Sequence, residues 1–111
     1  MKRICLAAAL VALAAGASTL QAQAPDGAAL YTRACTSCHG AAGVPNPAMV
    51  RSLGAIPDLS DPAFQRTLAD STISNVIANG KGTKMRAPRT PYTPEQLRAL
   101  VAHVRSLRRA S

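Results

Sequence analysis

Cys35-Thr36-Ser37-Cys38-His39 decides the reading of this chain. Two thiols three positions apart, followed directly by histidine, form the pattern of a covalent c-type haem attachment site. The thiols add to the two vinyl groups of the porphyrin as thioethers, and the adjacent imidazole ligates the iron. A lone Cys-x-x-Cys also occurs in zinc sites, thioredoxin-like sites and disulfides. Zinc needs two more ligands, and the only other histidine is His103. A thioredoxin-like site needs a βαβ setting, and no segment here shows sustained strand alternation. The pentapeptide therefore predicts one covalent haem c, held by Cys35 and Cys38 and ligated by His39.

Outward from the motif, the N-terminal stretch has a different character. Met1-Lys2-Arg3 is basic, Ile4 to Ala15 is apolar, and small residues follow to Ala22-Gln23-Ala24. This is the pattern of a secretory signal peptide, residues 1–24, cleaved after Ala22 or Ala24. A permanent anchor is the competing reading, but the run is shorter than the ~20 apolar residues a span needs. The mature chain is thus expected to have no stable membrane span. Cys5 lies at the start of the run and is expected to be discarded, leaving Cys35 and Cys38. Export to the periplasm suits haem attachment, which takes place in the oxidising outer compartment.

Residues 25–111 form one expected domain. With no Trp, one Phe and two Tyr among 111 residues, its core is thin in aromatics. A domain of this size buries little apolar surface and often needs a staple, and a covalently held haem supplies a large flat apolar body. The formal charge of the whole chain is +8. Nucleic acid is not an expected partner for an exported chain with few aromatics.

The expected fold is all-α, with four to five helices around the haem. Asp26 caps a helix to about Cys35, with Gly27, Leu30, Tyr31 and Ala34 on one face. Gly40 to Pro47 is turn-rich, and Ala48 to Asp58, lacking a clear period, reads as loop. Asp61-Pro62 starts a short helix to about Leu68. Asp70 or Ser71 starts the next, which Asn79-Gly80 ends. Gly80 to Pro91 is a second loop. Thr93-Pro94-Glu95-Gln96 is a capping box opening the last helix, striped by Leu97, Leu100, Val101, Val104 and Leu107. Arg105, Arg108 and Arg109 read as complements to that helix's C-terminal dipole.

Gly27-x-x-Leu30-Tyr31, Cys35-x-x-Cys38-His39-Gly40, the loop Gly80-Lys81-Gly82-Thr83-Lys84-Met85 and the stretch Leu100 to Leu107 occur in that order. Together they resemble the small monohaem class I cytochromes c of the bacterial periplasm, over about Gly27 to Leu107. The resemblance implies a methionine as sixth ligand, in a loop before the last helix, and so selects Met85. Met49 is then an apolar gap-filler. It also implies that a proline carbonyl after the motif, here Pro47, accepts the second ring N–H of His39. The chain departs from the family pattern at two places. Proline usually follows the ligand methionine directly, whereas here the order is Met85-Arg86-Ala87-Pro88. His103 stands where an aromatic is usual, and is expected to pack where the last helix crosses the first near Gly27.

His/Met ligation leaves no open coordination position and suits electron transfer. The implied function is therefore a periplasmic carrier of single electrons, not an enzyme; no paired carboxylates, activated nucleophile or phosphate loop is evident. The alternative is a haem-based small-ligand binding or sensing protein with an open or weak sixth position. A cytochrome c subunit of a larger redox complex is a further alternative, against a free monomer. Lys81, Lys84, Arg86 and Arg89, with no acid between Asp70 and Glu95, suggest a positive rim for redox partners with acidic docking surfaces.

Overall fold

Three segments of the chain begin with the same pair, a capping side chain followed by proline: Asn46-Pro47, Asp61-Pro62 and Thr93-Pro94. The side chain satisfies a free backbone N–H, and proline brings its fixed φ where no N–H is needed. In the computed structural model, which describes residue 11 and residues 24–110, all three pairs start helices. The predicted signal peptide, 1–24, lies outside the described residues apart from Val11 and Ala24. Among the described residues, no helix is long and apolar enough to cross a membrane.

Six helices and one small hairpin are found among the described residues. Their order is α1 (Gly27–Ala34), α2 (Thr36–His39), α3 (Pro47–Leu53), α4 (Pro62–Arg66), α5 (Asp70–Asn79), β1 (Gly80–Lys81), β2 (Met85–Arg86) and α6 (Pro94–Ser106). The mostly helical class is as predicted, and two differences raise the helix number. The haem-type motif forms a one-turn helix of its own, α2. Residues expected to be loop form α3, because the Asn46 carboxamide oxygen accepts from the Ala48 N–H at 3.0 Å and seeds the turn. α4 stops at Arg66, two residues before the expected end. The second loop is folded back on itself: Gly80 pairs with Arg86 and Lys81 with Met85 in an antiparallel ladder.

The core forms where α1 and α5 pack on α6. Tyr31, Ile73, Leu100, Val101 and Val104 are its fully buried hydrophobic residues. Leu30, Cys35, Leu59, Leu68, Ile77, Tyr92 and Leu107 pack around them half-buried. α1 crosses α6 backbone on backbone: a Cβ on Gly27 would lie 2.1 Å from the Ala99 carbonyl oxygen. His103 takes up the same crossing as expected, its ring 4.8 Å from the Tyr31 ring and tilted by 48°.

A polar clamp fixes the other end of α6. Buried Gln65 donates to the carbonyls of Leu59 and Val104, both at 2.7 Å. Arg105 donates to the Gln65 and Leu68 carbonyls, at 2.8 and 2.5 Å, and pairs with Asp70 at 2.8 Å. Arg105 lies in the last turn of α6, and these bonds add a second role to the dipole role expected of it. Its guanidinium thus ties the chain at and just after the end of α4 to α6. Arg109 is likewise spoken for, with its backbone N–H on the Ser60 carbonyl and its side chain 3.5 Å from Asp58.

Candidate haem site

A helical turn brings residues i and i+3 to one face, and α2 uses this on the two cysteines. Cys35 closes α1 by donating its N–H to the Tyr31 carbonyl at 2.8 Å. Its own carbonyl then accepts from Cys38 at 3.3 Å and His39 at 2.9 Å. Cys35, Cys38 and His39 are thereby gathered in one turn. Both thiols are half-buried and free rather than joined in a disulfide. Burial, and secondarily the neighbouring Cys38, push the Cys35 thiol up in pKa. That is the reverse of the depressed thiolate that redox-exchange cysteines need. Among the described residues, no three His, Cys, Asp or Glu side chains gather in a way that could hold a metal ion by themselves.

His39 ends α2. Burial lowers its pKa, which favours the neutral, ligating form of the imidazole. Its Nδ1 is buried and has no hydrogen-bond partner. The bond expected from this ring to the Pro47 carbonyl is therefore not formed. Pro47 is the first residue of α3, so its carbonyl is directed along the helix into the α3 ladder. A half-buried imidazole whose Nδ1 is enclosed without a partner is uncommon in a purely structural role. Together with two free thiols on one face, it fits covalent haem c.

Two side chains that the sequence reading did not single out for the site hold the motif in place. The Tyr31 hydroxyl, on a residue 1% exposed, donates to the Gly40 carbonyl at 2.7 Å. Burial, then the neighbouring Cys35, push its pKa up to about 12, so the hydroxyl remains a donor. Asn46 works from the other side, with its backbone N–H on the Cys38 carbonyl at 3.0 Å and its side-chain amide on the Ser37 carbonyl at 3.3 Å. The cap-plus-proline signature at Asn46-Pro47 was the available signal for that role.

Met85 lies in β2 and is half-buried. The hairpin that carries it is not adjacent to α2 in sequence but is tied to it through α3. At one end of α3, Asn46 bonds to the motif. At the other, the Lys84 ammonium donates to the carbonyl of Leu53. Seven helical residues span about 10 Å, which separates the two ties. Met49 is half-buried in the middle of α3. Lys81, Lys84, Arg86 and Arg89 are all exposed. The ion pairs among the described residues join Arg98 to Glu95, Arg105 to Asp70 and Arg109 to Asp58, leaving the hairpin cations unpaired with acids.

Residues 22–104 match the family described as cytochrome C oxidase, cbb3-type, subunit III. Among solved structures, the chain is similar to the KustC0563 c-type cytochrome, with a TM-score of 0.68 and 33% sequence identity. That similarity covers 77% of this chain and 100% of the other. No curated protein matches.

Proposed function

Because the chain belongs to the cytochrome c family of the cbb3-type oxidase subunit III, we propose that it carries single electrons on one covalent haem c with His39 and Met85 as axial ligands. Members of such families are typically electron carriers rather than enzymes. The observation that carries the reading is the single turn at α2, with two free thiols and an imidazole whose Nδ1 is buried and unpartnered. When bound, haem supplies an iron that exchanges one electron between two oxidation states.

The chain's own residues do the rest. Cys35 and Cys38 anchor the group beside the core. His39, kept neutral by burial, offers its ring as one axial ligand. Met85 offers a thioether from the hairpin as the other. Tyr31 and Asn46 fix the motif's carbonyls, so the imidazole is held by the backbone on both sides of it. Lys81, Arg86 and Arg89 form a positive rim that attracts a redox partner with an acidic docking surface, more weakly as salt rises. Residues 1–24 direct export and are removed after Ala22 or Ala24, which places the mature chain in the periplasm.

A second reading is that the chain works as a subunit of a larger redox complex, which the family description favours. The displaced proline in Met85-Arg86-Ala87-Pro88 favours a third, a haem protein whose sixth position opens to small ligands.

Spectroscopy of the oxidised protein tests the ligand set. A weak near-infrared band with a low-spin visible spectrum marks methionine–iron bonding. Met85→Ala abolishes the band and Met49→Ala retains it; the reverse pattern makes Met49 the ligand. High-spin features with ready carbon monoxide binding would favour the sensing protein. Mass spectrometry of the secreted protein is expected to give residues 23–111 or 25–111 plus a single haem.

A further inference from the structure

The loop that carries Met85 lacks the usual brace of a proline immediately after the methionine. Two other restraints stand in its place. One is the ladder of β1 and β2, which needs glycine at position 80. Its φ is +75°, and a Cβ there would lie 2.5 Å from the Met85 carbonyl oxygen. A two-stranded ladder is marginal by itself.

The second restraint is Lys84. Its ammonium donates to the carbonyl of Leu53, the last residue of α3, across 31 positions of sequence. That carbonyl is among those a helix end leaves without an internal partner, and a cation there also complements the helix dipole. The opposite end of α3 is bonded through Asn46 to Cys38 and Ser37. A continuous bonded path thus runs from the His39 turn, along α3, to the residue immediately before Met85.

We infer that Lys84 is a positioning residue for Met85: latched on the Leu53 carbonyl, its ammonium holds the hairpin against α3 and keeps the thioether on the iron. This rests on Met85 being the axial ligand. Lys84 therefore differs from Lys81, which carries the same charge three residues away but makes no side-chain hydrogen bond among the described residues. A purely steering role would make the two equivalent.

Imidazole titration of the oxidised, haem-loaded protein, followed through the near-infrared band, separates these roles. Imidazole binds when Met85 is off the iron, so its apparent affinity scales with the population of that open form. Lys84→Gln is expected to lower the imidazole midpoint about three- to tenfold, the range of a typical net hydrogen bond. Lys81→Gln is expected to stay within about twofold of the parent, as befits a surface charge. Lys84→Arg, whose guanidinium can reach the same carbonyl, recovers most of the loss. Equal midpoints for Lys84→Gln and Lys81→Gln overturn the latch. A band that survives Met85→Ala refutes the ligand assignment itself, and the latch with it.

Discussion

Gly27 has no room for even one more carbon. A Cβ there would meet the Ala99 carbonyl oxygen at 2.1 Å and the His103 Cβ at 3.3 Å. The first obstacle is backbone, which cannot rotate away, so α1 and α6 would have to separate. Gly27→Ala is expected to cost about 2 kcal/mol or more of stability, read as a lowered urea midpoint of the haem-loaded protein. A loss under about 0.5 kcal/mol, the range of an ordinary surface change, would show that the crossing opens without strain. Gly27 and His103 were legible in the sequence because a resemblance placed them at one crossing. The Tyr31 hydroxyl on Gly40 and the Asn46 amide on Ser37 were not. Each joins residues nine apart, and periodicity on one helix carries no information about which distant carbonyl a polar side chain will reach.

Short helices depend on what their ends are bonded to. Isolated helices under ~12 residues are marginal in water, yet α4 has five residues and α3 seven. α4 persists because Gln65 bridges it to the Leu59 and Val104 carbonyls while Arg105 serves the Gln65 and Leu68 carbonyls. Gln65→Leu keeps the side chain's bulk but removes both donated bonds and the oxygen that accepts from Arg105. It is expected to destabilise the protein by about 2 kcal/mol, by leaving the Leu59 carbonyl without a partner and removing a second bond from the Val104 carbonyl. Thermal unfolding by circular dichroism measures this, and an unchanged midpoint would mean water replaces the amide. The start of α4 could be read from Asp61-Pro62, as that of α6 could from Thr93-Pro94. α3 was missed because its apolar face, Met49, Val50 and Leu53, spans barely one turn, too short a run to establish a period, although its cap was in plain sight.

At the scale of the molecule, five buried hydrophobic residues form the core among the described residues, a small one for a domain. A core this small leaves a thin margin of stability, which a covalent or cofactor staple widens. Replacing both proposed attachment thiols, Cys35→Ala with Cys38→Ala, is expected to leave a protein that lacks a cooperative thermal transition. Far-UV circular dichroism reads this, and a sharp transition in the haem-free double variant would refute it. The sequence announced this dependence through its scarcity of aromatics and its attachment motif. It did not announce how the two sides of the site are spaced. That spacing belongs to α3, tied at its first turn to the cysteine motif and at its last to the methionine hairpin. The helix therefore works as a gauge block, cut to length in whole turns. One residue added within 47–53 would swing its final carbonyl by about 100° and carry it about 1.5 Å further along the axis, out of phase with Lys84. An insertion within those seven residues is therefore expected to part Leu53 from Lys84 even though every side chain of the latch is still present.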